Sequence, residues 1–504
     1  MLRTIILSIS ALILCQNLLS AQYWSKRYDF QQGNENATQI IPMADGLLVH
    51  VSGLCDQNKR ICGGLIKLDF DGNLMWKSIY LDTLDTNTLG PAAIIGDTIF
   101  LNVSYFYVDS LYFSILAYDL QGNYLSRRDY GFPSTKNWAR NISANEKRIY
   151  VVYQYRDLTT LKYRGRLRAY DRKWAFLWER EFPGAHNNCS ISHVTAMPDG
   201  GAALAYTGVE SFDRRAVVVR YDEDGNVLWT SAFPKAYEAD FVRIEPYPDG
   251  SLAGIWNIDT FVLGYSFSPQ MAFKMDATGQ IEWAKFEITK YLQHYYHVFV
   301  AKNGDIIISG KDDNSSVALP IGTVMAGYVR RLRPDGELLW ERRVMDFSQG
   351  DHKNYLYSGA ELDNGDLVFA GEIADSLPDD PYPYNVWVVR LDSMGCFAPN
   401  CGTEQILTST QNAPGVQEDE KPFIAFPSPF NAYIIVGSKL GKPLPAGRYQ
   451  IAVFDLLGKI VMDERQIDPQ QVTELDTSAW PSGTYFIQVR LDGAVFQYLK
   501  VVKS

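Results

Sequence analysis

The chain has 504 residues and a formal charge of −11 at neutral pH, with 46% hydrophobic and 13% aromatic residues. An acidic surface repels phosphate backbones, so nucleic acid is excluded as a partner class, and the charge otherwise serves solubility. Past the N-terminus no stretch approaches the roughly 18 uninterrupted apolar residues of a spanning helix, so no integral membrane span is expected.

Arg3 precedes the apolar run Ile5–Leu14, and Leu19-Ser20-Ala21 places small residues before Gln22. This is the layout of a secretory signal peptide, expected over 1–21. A lipoprotein reading through Cys15 needs a small residue where Leu14 stands. Five cysteines remain after the signal, which suits an oxidising compartment. Cys55 and Cys62 flank the polar loop DQNKRI, and Cys396 and Cys401 flank FAPN. Both spacings bring Cβ atoms into bridging reach where the chain turns back, so these are two disulfide candidates. Cys189 reads as a small buried hydrophobe. No metal site is expected, because zinc would call for tight CxxC pairs with nearby histidines.

One pattern then recurs: LIKLDFDGNLMW at 65–76, ILAYDLQGNYLS at 115–126, LRAYDRKWAFLW at 167–178, VVRYDEDGNVLW at 218–229, AFKMDATGQIEW at 272–283 and VRRLRPDGELLW at 329–340. A degenerate copy, WVVRLDSMGCFA, occupies 387–398. Each is strand, turn and strand, and the turn positions Gly72, Gly122, Trp174, Gly225, Gly279, Gly336 and Gly395 are 50 to 59 residues apart. A second strand–turn–strand pattern precedes each copy, for example MADGLLVHVSG at 43–53 and AKNGDIIISG at 301–310. Two hairpins in each of seven units predict a propeller of four-stranded blades.

The ends of the repeat predict how it closes. The seventh unit lacks a Trp-ending fourth strand, whereas Tyr23-Trp24-Ser-Lys-Arg-Tyr28 matches Met75-Trp76-Lys-Ser-Ile-Tyr80. An N-terminal strand completing the last blade leaves no open sheet edge. The expected fold is therefore all-β: a seven-bladed β-propeller over 22–401 with strand-swapped closure, followed by a small C-terminal β-sandwich. The repeat resembles bacterial secreted propellers with a Lys/Arg-Leu-Asp-x-x-Gly-Asn-x-x-Trp signature. It is also similar to the quinoprotein blade repeat, most clearly in Met275-Asp-Ala-Thr-Gly-Gln-Ile-Glu-Trp283. That resemblance implies fold rather than activity.

Strand order puts both turns of a blade on one face of the disc and the long, dissimilar connections on the other. Variable loops on a rigid face are where binding sites are built. Tyr105, Tyr107, Trp138, Trp256 and Tyr295 are aromatics in or beside these connections, suited to stacking on sugars or partner side chains, with His297 beside them. The competing reading is packing between blades. His294 and His297 are spaced for a helix rather than a strand, which argues against a metal pair. Asp69-Phe-Asp71-Gly72-Asn73 and Asp222-Glu-Asp224-Gly225-Asn226 open like a calcium loop, but Tyr80 and Phe233 stand where its twelfth-position Glu belongs. Asx chemistry in a hairpin suffices for them. No GxSxG, HExxH or Gly-rich phosphate loop occurs, so no catalytic residue and no cofactor is assigned.

Residues 402–421 are polar and aperiodic and read as an exposed linker. Beyond it come alternating apolar strands closed by turns, a small sandwich. Pro427, Pro429 and Phe430, the turn with Gly458 and Lys459, Gly483 in Pro-Ser-Gly-Thr-Tyr, and the terminal Lys500-Val-Val-Lys503 together resemble a type IX secretion C-terminal sorting domain, type A, over 422–504. The family usually has Asn where Ser428 stands. The resemblance implies the type IX machinery and its C-terminal processing peptidase as partners. It implies passage through the periplasm to the cell surface, anchored at the outer membrane, or to the medium. The function expected is recognition of an extracellular glycan or protein by the propeller loop face. The alternative is a secreted enzyme on the same scaffold, a quinoprotein-like dehydrogenase or a polymer hydrolase.

Overall fold

A computed structural model of the chain describes residues 23–503 without 31–34, 54–62, 81–85, 108–109, 131–134, 158–162, 183–192, 211–212, 234–238, 259, 263–264, 268–269, 288–292, 313–324, 347–351, 376–383, 398–400, 408–422, 427–429, 431, 439–443, 445, 456–458, 470 and 493. Among the described residues every regular element is a strand. Seven groups of four antiparallel strands follow one another along the chain, those of blades 2 and 3 joined by a parallel bridge between Lys136 and Leu111. Their first strands are Asn36–Met43, Thr86–Ile95, Thr135–Ala144, His193–Ala196, Ala239–Pro246, Gln293–Val300 and His352–Glu361, for blades 1 to 7. Each first strand lies against that of the next blade, and blade 7 returns to blade 1, so the ring closes.

The closure is the one the repeat predicts. Trp24–Tyr28 pairs antiparallel with Tyr384–Leu391 and supplies the fourth strand of blade 7. Blade 5 carries an added hairpin, Thr260–Val262 with Tyr265–Phe267. Blade 6 gains a fifth strand: Glu404–Leu407 pairs parallel with its outer strand Leu338–Asp346. These four residues belong to the segment expected to be linker, and the sheet edge they cover explains the difference. A strand needs an open ladder to pair with, and a neighbour distant in sequence leaves no trace in local composition. The chain reaches that edge just after the Cys396–Cys401 disulfide (Cα–Cα 5.6 Å). Cys55 and Cys62 lie outside the described residues, as does Cys189.

The turn face is welded by a repeated contact. The outer-strand tryptophan of each blade lies over the turn glycine of the next: Trp24 on Gly72, Trp76 on Gly122, Trp178 on Gly225, Trp229 on Gly279, Trp283 on Gly336 and Trp340 on Gly395. A Cβ at any of these glycines would come within 2.6–2.9 Å of the indole, and all six have left-handed φ. Trp24, Trp178, Trp229 and Trp283 also donate their indole N–H to a turn carbonyl at 2.8–3.0 Å. At the junction of blades 2 and 3 the pair is exchanged. Ser126 stands where the tryptophan would be, and Trp174 takes the glycine position at φ +65°. Its ring stacks on Phe100 and Tyr170 at 4.7 and 4.8 Å and donates to the Tyr130 hydroxyl at 2.8 Å. One indole fills the space either way.

The C-terminal region is a sandwich of two sheets. Phe423–Phe426, Tyr433–Ser438 and Thr473–Asp476 form one; Ile460–Ile467, Tyr449–Asp455, Gly483–Leu491 and Ala494–Lys503 form the other. Ile434, Val436, Ile451, Val453, Ile487 and Val489 make its core.

Candidate functional site

The first strand of a blade has one edge bound to its own sheet and one facing the axis, where its N–H groups need partners. Five of these strands solve this with a one-residue irregularity at an equivalent place, which leaves Thr38, Arg140, Asp240, Tyr296 and Tyr357 outside the ladder. A bulge re-aims the side chains around it. Residues just after it reach the neighbouring blade. Gln39 brackets Ala92, accepting its N–H at 2.5 Å and donating to its carbonyl at 3.1 Å. Asn141 Oδ1 accepts from Val194 N at 3.3 Å, His297 Nδ1 from Gly359 N at 3.3 Å, and Ser358 Oγ from Ile40 N at 3.2 Å. The His297 ring, accepting at Nδ1, is thus neutral with its proton on Nε2.

These strands enclose a central cavity of about 390 Å³, with residues from all seven blades in its wall. Arg140, His193, Arg243, Glu245 and His297 are its ionisable lining. Arg243 and Glu245 alternate with Val242 and Ile244, which are buried against blade 4. Both keep some accessible surface because they face the cavity, but the surrounding protein screens them from bulk water. Burial pushes the Glu245 carboxyl up to about 8, opposed by Arg243, and lowers the Arg243 guanidinium to about 10, opposed by Glu245. Burial, reinforced by Arg243, drops His297 to about 3 and His193 well below the ordinary imidazole range, with His297 a further cause for His193. Arg140 donates two hydrogen bonds to Gln154 Oε1 at 2.9 and 2.7 Å, and burial lowers its pKa.

At the long-connection end of blades 6 and 7 the bulge residues meet each other. The Tyr296 and Tyr357 rings lie edge to face at 4.9 Å. His294 stacks on Tyr296 at 6.1 Å, and Tyr355 lies 6.0 Å from Tyr357. Lys311 sits over Tyr355 at 5.1 Å and Lys353 over Tyr384 at 6.0 Å. The Tyr357 hydroxyl donates to Glu372 at 2.9 Å. Burial raises Glu372 to about 7, against the pull of Tyr357, Lys353 and Lys311. These rings are half-buried.

Of the six sequence candidates, His297 lines the cavity. Trp256 is 1% exposed and packs on Phe233 at the junction of blades 4 and 5. Tyr295 is fully buried, stacked on Tyr328, its hydroxyl accepting from Arg330 at 3.0 Å. Both hold blades together rather than face solvent. The backbones of Tyr105 and Tyr107 end a strand of blade 2, and that of Trp138 lies opposite Gln154; their side chains fall outside the described set. Sequence reasoning missed Arg140, His193, Arg243, Glu245, Tyr355, Tyr357 and Glu372. A signal was available for two of them, since Val242-Arg243-Ile244-Glu245 alternates charge with core residues in a first strand. The bulges themselves leave no such mark. The aspartates that open the Gly turns are engaged by the chain itself: Asp69 Oδ1 accepts from Asp71 N and Asn73 N, and Asp222 repeats this. Among the described residues no group of three or more His, Cys, Asp or Glu is placed to hold a metal, and no helix is long and apolar enough to cross a membrane.

In the C-terminal sandwich, Phe430 is buried and its N–H bonds to the Val502 carbonyl at 2.8 Å, tying the first motif to the last strand. The Lys503 ammonium donates to the carbonyls of Thr477 and Trp480, both at 2.6 Å. Asp455 and Lys459 close their hairpin through mutual bonds of 3.0 and 2.9 Å. Lys500 lies in the last strand opposite Phe486, and Gly483 opens the strand beside it. Pro427, Pro429 and Gly458 lie outside the described residues. Residues 424–503 match the family described as the secretion system C-terminal sorting domain. This region is a type IX sorting domain. The sorting domain marks the chain for export by the type IX machinery to a cell-surface or extracellular location.

No curated protein matches this chain. Similar solved structures include an α-L-arabinofuranosidase of Fusarium graminearum, 11% identical over 74% of this chain and 98% of that one, TM-score 0.43. Another is the NanB sialidase of Streptococcus pneumoniae, 11% identical over 73% and 70%, TM-score 0.38. A prolyl endopeptidase is 13% identical over 82% of this chain, TM-score 0.42, and this chain spans 55% of its length. These are likenesses of shape and lend no weight to any particular chemistry.

Proposed function

We propose that the propeller is an exported recognition module that binds a glycan or protein outside the cell through its long-connection face. The observation that carries this is the cluster of half-buried rings at blades 6 and 7, with two lysines beside it. Aromatic rings with polar tips give large contact area at small entropic cost, and they stack on sugar faces and on partner side chains alike. In this reading the signal is cut before Gln22 and the sorting domain is removed within the 402–421 linker by the processing peptidase. The mature propeller is then anchored or released. Intact-mass measurement of surface and medium protein checks the maturation; a C-terminus at Ser504 outside the cell counts against it. For recognition, a glycan array and a pull-down on extracellular matrix proteins are run with the native protein and with Tyr296→Ala/Tyr355→Ala. Binding lost in the double variant supports the assignment, and two blank screens with native protein sink it.

A polymer hydrolase is the second reading, favoured by two carboxyls, Glu245 and Glu372, that burial pushes up to about 8 and 7, a range suited to a general acid. Turnover of a polysaccharide panel that disappears in Glu372→Gln or Glu245→Gln would replace recognition with catalysis.

A further inference from the structure

We propose that the central cavity is a second site, distinct from the aromatic mouth, that binds a small molecule bearing an oxyanion, a carboxylate or a phosphate. Its wall carries two guanidiniums, Arg140 and Arg243, against one carboxyl, Glu245. That carboxyl is kept protonated by burial around neutral pH, so the cavity is cationic inside a chain of net charge −11. Low-dielectric walls focus such a field and concentrate counter-ions of the opposite sign. The Arg140 guanidinium spends its two hydrogen bonds on an amide oxygen, and among the described residues no carboxylate pairs with it. Elsewhere in the same wall the His193 Nδ1 is buried with no hydrogen-bond partner among the described residues. A buried polar atom left unsatisfied is costly, so a ligand that supplies its partner recovers that cost. Guanidinium forks match carboxylate and phosphate oxygens, and a protonated Glu245 adds a donor. The volume, about 390 Å³, is within the range of small-molecule sites.

The groups that bear on Glu245 are few. Arg243 shares its strand, and His193 and His297 come from the strands on either side, both held neutral. Opposite it on the next strand of its own blade is Ala253. Arg140 lies on another part of the wall. Of the remaining strands packed on this one, Arg220 is already paired with Asp199 at 2.5 Å. Ionisation of Glu245 would place a negative charge beside the anion and neutralise Arg243. Anion binding should therefore weaken as pH rises through about 8.

The test is calorimetric titration of the purified full chain with galacturonate, galactose 6-phosphate and galactose. Saturable binding of either charged sugar, with galactose at least tenfold weaker, supports the site, and the two charged probes tell carboxylate from phosphate. Arg243→Gln should cost at least tenfold in affinity. Between pH 7 and 8.5 native affinity should fall roughly fourfold, as a single group titrating near 8 requires, and Glu245→Gln should bind with that dependence gone. If Arg243→Gln does not fold, Arg140→Gln and the native pH series carry the same decision. Equal binding of all three sugars, or no saturable heat with any, overturns the proposal and leaves the aromatic mouth untouched.

Discussion

At the turn end of the disc one contact recurs six times, indole over glycine. At the long-connection end the equivalent bulge positions hold Thr38, Arg140, Asp240, Tyr296 and Tyr357, no two of them alike except the last pair. The physical demands differ. A turn glycine has left-handed φ and no room for a Cβ, so its neighbour's shape dictates the residue. A bulge asks only for one extra residue, whose side chain leaves the ladder and is free to be of any type. Fold information concentrates at one end and chemical variety at the other.

The exchange at blades 2 and 3 is the sharpest probe of that division. Trp174→Gly alone removes two ring-stacking contacts and a hydrogen bond, offset by relief of left-handed strain, and should cost about 3–4 kcal/mol. Ser126→Trp alone forces a second indole into an occupied space. The double variant restores the arrangement of the other six junctions and should recover at least half the loss, with a coupling energy above about 1 kcal/mol in denaturant unfolding. Strict additivity of the two changes would mean that the junctions are not interchangeable units.

Two glycines with similar φ separate backbone strain from the indole contact. Gly225→Ala meets Trp178 at 2.7 Å with φ +79°, whereas Gly365→Ala meets nothing within 4 Å at φ +88°. Backbone strain alone predicts about 1 kcal/mol at Gly365, and strain plus overpacking about 2–3 kcal/mol at Gly225. Equal shifts in unfolding midpoint would remove the indole contact from the account.

The turn end was legible in the sequence, because a turn repeated in all seven units, six of them with the indole contact, leaves a period of 50 to 59 residues, and the missing strand of blade 7 pointed to the spare one at Trp24. The Cys396–Cys401 bridge followed from spacing. The site end was not legible in the same way. Tyr295 and Tyr296 are adjacent, yet one is sealed in the core and the other reaches the mouth, and only the bulge between Tyr295 and His297 decides which. His297 drew notice as a ligand, but its Nδ1 is occupied by the next blade. Glu404–Leu407 escaped notice because its partner strand is some sixty residues away.

Titration divides the two ends as well. The turn aspartates Asp119 and Asp222 are held below their ordinary pKa of 3.8, first by the side-chain amides of Asn123 and Asn226. Their contribution is present above that value and disappears as pH falls through the lowered one. Glu245 and Glu372 are raised from 4.5 to about 8 and 7 by burial, so what they contribute is full below 4.5 and lost as pH climbs through those values. His50 and His297, lowered by burial from 6.5 to about 3, weaken the fold as pH drops through that interval. Unfolding temperature should therefore decline from pH 6 to pH 8.5, and Glu245→Gln should flatten this alkaline limb by a few degrees while leaving the acid limb in place. An unchanged alkaline limb in that variant would show that Glu245 is not held protonated.

The mouth itself carries a stability effect as small as that at Gly365. Tyr296 touches His294, Tyr355 and Tyr357 at ring distances of 6.1, 6.5 and 4.9 Å, and it is half-buried. Aromatic pairs of this kind, one stacked and two edge-on, are worth about 0.5–1.5 kcal/mol each when fully formed and less where the rings are partly solvated. Tyr296→Ala should thus cost about 1 kcal/mol, below the loss at Gly225, with the unfolding transition as cooperative as in the native chain. Tyr295→Ala, one residue away, removes a ring buried on Tyr328 and the acceptor for Arg330, and should cost about 3–5 kcal/mol. The contrast between these neighbours is the point of the measurement. If both cost the same, the bulge does not separate a structural residue from a surface one, and the distinction between the two ends of the disc fails where it matters most.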